Sequence, residues 1–87
     1  MKWTDEATEM VEQLLQELPL PVREGVQQAT ELRGEALAEK KSATEISLEL
    51  AVAAFIEATP ADLRERLKHT LSYRGIDPDD YEASFSA

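Results

Sequence analysis

The chain has 87 residues, a net charge of −9 and no cysteine. Its length allows one small domain, the missing thiols exclude disulfides, iron–sulfur ligation and a cysteine nucleophile, and the negative charge disfavours nucleic acid as a partner. No apolar run approaches the roughly 20 residues that span a bilayer, and the N-terminal residues lack the apolar core of a signal peptide. We therefore expect a cytoplasmic protein that does not span a membrane.

Two amphipathic helices are predicted for the first half of the chain. The first covers residues 5–18, because apolar residues recur there at three- and four-residue spacing after Thr4, a good N-cap. Pro19 ends it. The second covers residues 22–40 and opens at Pro21, since proline suits the first turn of a helix.

A third helix is predicted for residues 43–58. Two N-caps are compatible with its start: Ser42, in a capping box with Glu45, or Ser47. The segment is apolar on nearly every side, which is typical of a helix in the middle of a bundle. We expect its most buried side chains to include Val52, Phe55 and Ile56.

A fourth helix is predicted for residues 60–74, with Thr59 as its N-cap and Pro60 at its first position. Gly75 is expected to end it in the left-handed conformation, and residues 81–87 are expected to be loose. No strand pattern is present. The predicted fold is therefore all-α, a small bundle of four main helices with a central apolar third helix.

Groups that perform catalysis or bind metals are scarce. His69 is the only histidine, and Glu65 one turn before it completes too small a ligand set for zinc. Glu31, Glu35 and Glu39 recur every four residues on the second helix, which we interpret as a solvated face. No nucleophile–base pair or phosphate-binding loop occurs. We therefore predict no catalytic residue, no metal ligand and no enzyme activity.

The corner between the first two helices is the predicted contact site. Two prolines fix it, and tryptophan and arginine are residue types that often anchor interfaces. The arginine could hold a carboxylate or phosphate in bidentate geometry, while the tryptophan and a leucine would supply apolar contact. The alternative is that these residues close the core or pair with a neighbouring carboxylate. The residues are Trp3, Leu18, Pro19, Pro21 and Arg23.

The same residues carry a family resemblance. They belong to the segments Trp3-Thr4-x-x-Ala7, Leu18-Pro19-x-Pro21-Val22-Arg23-x-x-Val26, Glu31 and Ile46-Ser47-x-Glu49. Through these segments the chain resembles the C-terminal domain of the B subunit of light-independent (dark-operative) protochlorophyllide reductase. The resemblance covers about residues 2–58 and divides the chain into a domain of this type, 1–58, and a C-terminal helix and tail packed on it, 59–87.

The resemblance implies a free-standing relative of an accessory domain that lies beside the tetrapyrrole site of the reductase. The large body that holds the cluster ligands and the main pigment pocket is absent from this chain, so the reductase activity is not implied. Free-standing copies occur in photosynthetic bacteria, especially cyanobacteria. The implied role is a non-catalytic binding or assembly module for chlorophyll biosynthesis or pigment-proteins, peripheral to the thylakoid membrane, with a tetrapyrrole or a protein as its partner and no other cofactor.

Two other functions fit the sequence. One is a pigment-independent protein–protein adaptor that uses an apolar groove between helices. The other is an acyl carrier protein, because Ser47-Leu48 is similar to the Asp-Ser-Leu motif of that family. Ile46 stands where the aspartate should be, and a helix cap explains the serine more simply.

Overall fold

The computed structural model describes residues 2–87, and this part of the chain forms the predicted small all-α bundle with four main helices. None of these helices is long and apolar enough to cross a membrane. A 3-10 turn and a short fifth helix follow the fourth main helix. The helices are α1 (Asp5–Gln16), α2 (Leu20–Lys40), α3 (Leu48–Ala58), α4 (Ala61–Tyr73) and α5 (Glu82–Phe85), with the 3-10 turn at Pro78–Tyr81.

Helix α1 begins as predicted. The Thr4 hydroxyl accepts a hydrogen bond of 3.1 Å from the Ala7 amide, and this satisfies one of the free donors of the first turn. The helix ends at Gln16, two residues before the predicted end. Helix α2 starts at Leu20, also earlier than predicted, so that Pro21 lies in its first turn, where no backbone donor is needed.

The start of α3 distinguishes between the two predicted caps. The Ser47 hydroxyl accepts from the Leu50 amide at 3.3 Å, so Ser47 is the N-cap. The Ser42 alternative is wrong, because Ser42 ends α2 instead. It has a positive φ of 55°, and the amide that follows it, that of Ala43, donates to the Ala38 carbonyl at 2.8 Å. This closure is the usual C-terminal motif of a helix, with serine at the position that glycine prefers.

A short strand pairing contradicts the expectation of no strand. Lys2–Trp3 (β1) pairs in parallel with Glu45–Ile46 (β2), and the Thr4 amide extends the pairing to the Ile46 carbonyl at 3.1 Å. Two residues are too few for a period-2 pattern, so periodicity could not indicate this contact. The pairing holds the N-terminal segment beside the loop that precedes α3.

Helix α3 is the buried centre of the bundle, as predicted. Val52, Phe55 and Ile56 are fully buried, and Glu49 is the one residue of this helix that is exposed. Helices α1, α2 and α5 all pack against it. Residues from both predicted segments of the chain, 1–58 and 59–87, contribute to a single hydrophobic cluster.

Thr59 does not cap α4, so this part of the prediction is wrong. Its hydroxyl is buried and donates to the Phe55 carbonyl at 2.7 Å, one turn back in α3. The hydroxyl therefore closes the end of α3. Pro60 is the N-cap of α4 rather than its first residue as predicted, and the helix begins at Ala61 without a side-chain cap. A buried hydroxyl needs a partner, and here that partner is a carbonyl of the preceding helix.

Helix α4 ends in the predicted left-handed closure. Gly75 has a φ of +82°. The Gly75 amide donates to the Ser72 carbonyl at 3.1 Å, and the Ile76 amide donates to the Leu71 carbonyl at 2.9 Å. These two bonds form a Schellman motif.

The segment 81–87 is packed rather than loose. The Arg64 guanidinium on α4 donates hydrogen bonds to carbonyl oxygens at the end of α3 and to others at the end of the chain, so it joins these two segments. The Ser84 hydroxyl is buried and donates to the Glu57 carboxylate at 3.1 Å. The prediction was wrong because these contacts join residues 21 to 27 positions apart. The Arg64 acceptors are the carbonyls of Glu57, Thr59, Phe85 and Ala87.

The two exposed glycines give a matched test of these helix assignments. Gly75→Ala forces a β-carbon into the left-handed region, so we expect the free energy of unfolding to fall by about 1 kcal/mol. Gly25→Ala lies within α2 with open space around the new methyl group, so we expect it to rise by up to about 1 kcal/mol. Urea denaturation measures both. Shifts of the same sign would contradict the assignments.

Candidate functional site

A groove runs between α1 and α2 on the surface of the bundle. Each of these helices packs mainly against α3, and they contact one another little. The space left between them has a volume of about 370 Å³. This is within the range of ligand pockets in proteins, about 300–1,000 Å³. We call it the α1–α2 groove.

The floor of the α1–α2 groove is apolar. Val11 and Leu15, four residues apart on α1, lie on one side, and Thr30 of α2 lies on the other. All three are buried. The Thr30 hydroxyl donates to the Val26 carbonyl at 2.7 Å within its own helix, so this hydrogen is not free to bond to a ligand in the groove.

The sides of the α1–α2 groove carry carboxylates. Glu12 lies on α1, and Glu31 and Glu35 lie on successive turns of α2. Within residues 2–87, no basic side chain is paired with Glu12 or Glu31. The α2 glutamates were interpreted from the sequence as a solvated face. They are exposed, but two of them also border a groove, which could be found only by placing α1 beside α2.

Trp3 borders the α1–α2 groove through a close contact with α2. A β-carbon placed on Gly34 would lie 2.9 Å from both Cη2 and Cζ2 of the indole, and 3.4 Å from Cδ1 of Ile46. Real side chains do not approach so closely, so the indole occupies space that only glycine leaves open. Sequence reasoning missed Gly34. The sequence did contain a signal for this contact. A glycine inside a helix lowers its stability by about 1 kcal/mol relative to alanine, so its presence indicates that a neighbour packs closely there.

Arg23 closes the C-terminus of α1. Its Nε donates to the Leu18 carbonyl and its Nη2 to the Gln16 carbonyl, each at 2.8 Å. Gln16 is the last residue of α1, and its carbonyl is one that a helix end leaves without an intrahelical partner. Leu18 lies in the link to α2. Neither an exogenous carboxylate nor an ion pair is needed to explain the arginine, because the corner itself supplies its acceptors.

The five predicted site residues do not share one cavity. Trp3 lines the α1–α2 groove. Leu18, which is buried in the core, and Pro19 border a hollow of about 10 Å³ beside α4, which is the size of a single water molecule at most. Pro21 and Arg23 line neither of the two. The structure thus separates the tryptophan from the rest of the predicted corner.

A second, wider cleft lies between α2, α3 and the C-terminal segment, with a volume of about 810 Å³. Its lining carries both signs of charge, and the Arg33 guanidinium is 2.6 Å from the Glu57 carboxylate. Burial raises the pKa of the Tyr81 hydroxyl, and the Glu49 and Asp80 carboxylates raise it further. The hydroxyl therefore stays neutral. The mixture of charges gives this cleft no preference for either ionic class of ligand.

Metal ligands are not grouped in the described part of the chain. Residues 2–87 contain no cluster of three His, Cys, Asp or Glu side chains that could hold an ion. His69 is exposed on α4, as expected for a surface histidine.

The structure is that of a small all-α protein with a partly apolar groove on its surface that is bordered by carboxylates. The sequence matches the family described as "Protein of unknown function (DUF2621)" over residues 1–85, and the chain belongs to that family. No curated protein and no solved structure matches it. The family description names no ligand or pathway, so the resemblance to the reductase domain stays a prediction.

Adding one methyl group at Gly34 tests the contact with Trp3. Gly34→Ala should displace the indole and cost about 1–3 kcal/mol of unfolding free energy through overpacking. Because Trp3 is the only tryptophan in the chain, its fluorescence emission should shift to longer wavelength as the ring meets water. Gly25→Ala is the matched control and should leave the emission unchanged. An unshifted spectrum for Gly34→Ala would show that the indole lies elsewhere.

Arg23→Ala tests the closure of α1. We expect the free energy of unfolding to fall by about 1–2 kcal/mol, because two charge-assisted hydrogen bonds to backbone carbonyls are lost from a half-buried position. Arg23→Lys keeps the charge but lacks the two-pronged geometry, so it should recover only part of the loss. Thermal and urea denaturation measure the effect. Wild-type stability of Arg23→Ala would mean that the arginine is free for another role.

Proposed function

We propose that this protein is a non-catalytic binding module and that the α1–α2 groove is its working surface. The observation that carries the proposal is the groove itself: an apolar floor bordered by carboxylates, with the Trp3 indole held in place beside it. Concave sites with an apolar lining and a few polar groups are typical of ligand sites. The groove is formed by two helices packed on a common core, so a partner meets a surface that is already ordered, which lowers the entropy cost of binding.

The residue types around the groove support binding rather than catalysis. Nucleophilic catalysis requires a nucleophile beside a base, and the Thr30 hydroxyl is instead bonded to its own helix. A general acid needs surroundings that hold its proton near neutral pH, whereas Glu12 and Glu31 are exposed to solvent. His69, the only histidine, is exposed on α4 and does not line the groove.

A protein partner fits the groove better than a pigment does. A tetrapyrrole carboxylate would compete with the Leu18 and Gln16 carbonyls for Arg23, and beside Trp3 it would meet the negative charge of the glutamates. The link with chlorophyll biosynthesis or pigment-proteins is supported by the sequence resemblance alone. In this proposal, chlorophyll biosynthesis or pigment-protein assembly is the process in which the module acts. Absorbance of the protein mixed with protochlorophyllide tests direct pigment binding.

The acyl carrier alternative has less support. The Ser47 hydroxyl, to which phosphopantetheine would be attached, caps α3. Attachment there would remove the cap, which is worth about 1 kcal/mol. The intact mass of the protein purified from its host decides between the two, since the prosthetic group adds a fixed mass.

Site-specific photo-crosslinking tests the proposed function. A photoreactive residue in place of Gln27, which is exposed and borders the groove, should give discrete adducts with a partner in the native host. The same residue in place of His69, exposed on α4, is the control and should give none. Adducts from the His69 position alone, or from neither position, would contradict the groove as the working surface.

A further inference from the structure

The C-terminal segment is held to the protein in a different way from the four main helices. We infer that residues 77–87 form a strap that opens and closes over the wider cleft while the four main helices stay folded, and that the Arg64 guanidinium holds this strap closed. The inference concerns a different surface from the α1–α2 groove, since the two cavities share no lining residue. It does not depend on the proposed function.

The distribution of buried apolar side chains is the first argument. Every buried hydrophobic residue of the described chain lies in the range from Ala7 to Leu71, so the strap contributes none. Its aromatic residues, Tyr81 and Phe85, are only half-buried, and the Lys68 ammonium lies 5.3 Å from the centre of the Phe85 ring. Opening of the strap therefore loses much less hydrophobic stabilisation than unfolding of the bundle. Segments with few buried apolar contacts open at a lower free-energy cost than the core.

The backbone of the strap is the second argument. Within residues 2–87, no backbone–backbone hydrogen bond joins residues 77–87 to another part of the chain. The bonds inside the strap are local, such as the one from the Asp80 amide to the Asp77 carbonyl at 3.1 Å. Helix α5 has four residues and is too short to be stable alone. The strap can therefore leave without breaking any backbone bond of the main helices.

Arg64 supplies the bonds that the strap backbone lacks. Its Nη1 donates to the Phe85 carbonyl at 3.2 Å and to the Ala87 carbonyl at 2.7 Å. Its Nε and Nη2 donate to the Thr59 and Glu57 carbonyls at the end of α3. These bonds to α3 do not involve the strap, so they keep the guanidinium in place when the strap is open. The donors that close the strap are thus already positioned.

The Glu57 carboxylate also connects the strap to the bundle, and it keeps a partner in the open form. Its Oε2 accepts from the buried Ser84 hydroxyl of the strap at 3.1 Å. Its Oε1 accepts from the Arg33 Nε of α2 at 2.6 Å. When the strap leaves, the ion pair with Arg33 remains, and water replaces the serine. Opening therefore leaves no buried charge without a partner, which would be costly.

The consequence of opening is greater access to the wider cleft. Asp80, Tyr81 and Ser84 of the strap border one side of this cleft, and Ala53 and Glu57 of α3 border another. Removing the strap takes away the first side and exposes the second. The cleft is therefore more accessible in the open form than in the closed form seen in the structure.

Thiol labelling can measure the opening directly, because the chain has no cysteine of its own. Ser84→Cys places a thiol at a buried position of the strap, and Thr30→Cys places one at a buried position of α2. Both replace a hydroxyl that donates inside the protein. The neutral reagent iodoacetamide is added at several low urea concentrations, and mass spectrometry gives the labelling rates.

We expect Ser84→Cys to react about tenfold faster than Thr30→Cys or more, because local opening costs less free energy than global unfolding. Its rate should also depend less on urea, since opening exposes less surface. Arg64→Lys keeps the charge but lacks the forked geometry, so it should speed labelling at position 84 by about tenfold. Arg66→Lys, at an exposed position of the same helix, is the matched control and should change the rate by less than about twofold.

Val11→Ala separates local opening from global unfolding. Val11 is buried on α1 and does not line the wider cleft, so its contacts are the same with the strap open or closed. The variant should lower the urea midpoint of global unfolding and leave the labelling rate at position 84 unchanged.

Three results would overturn the inference. Equal rates and equal urea dependence at positions 84 and 30, or faster labelling at position 84 in Val11→Ala, would show that the strap opens only when the whole protein unfolds. Labelling at position 84 as fast as in the urea-unfolded protein would show that no closed form exists. An unchanged rate in Arg64→Lys would show that Arg64 does not hold the strap. The comparison of positions 84 and 30 retains Arg64, so it tests the opening even if Arg64→Lys does not fold.

Discussion

The burial of α3 is the constraint on which the rest of the structure depends. This helix exposes a single residue, Glu49, so it must be covered on almost every side. Helices α1 and α2 cover it, and the C-terminal segment adds a further layer that Arg64 fastens through backbone carbonyls. Phe55 is fully buried at the centre. Replacing a phenylalanine in such a position by alanine lowers the free energy of unfolding by about 3–5 kcal/mol, which is a large share of the stability of a small domain.

The α1–α2 groove follows from the same constraint. Because α1 and α2 both turn their apolar sides toward α3, little is left to hold them against each other. The space between them has an apolar floor, and carboxylates from the outward faces of both helices border it. Gly34 and the short β pairing then place the Trp3 indole beside this space. A glycine in the middle of a long helix lowers its stability by about 1 kcal/mol, so the contact it permits offsets that cost.

Local signals in the sequence predicted most of the fold. The apolar segment predicted a buried α3, and Gly75 predicted the end of α4. Ser47, one of the two predicted N-caps, is the cap of α3 in the structure. The errors arose where a distant residue decides the outcome. Thr59 bonds back into α3, and Arg64 fastens a segment about 20 residues away. The α1–α2 groove could not be predicted from the sequence, because it depends on how α1 packs beside α2. That packing places Trp3, but not Arg23, at the groove and brings glutamates of two helices together there.

Collisional quenching of Trp3 tests the central claim, that carboxylates of two helices make the groove beside this ring acidic. Caesium and iodide quench tryptophan fluorescence and carry opposite charges. The account predicts that caesium quenches more efficiently than iodide, and that the difference narrows when Glu12 and Glu31 are both changed to glutamine. It should persist when Glu9 and Glu24 are changed instead, although the net charge is the same. Equal quenching in the wild type, or the same narrowing in both variants, would contradict it.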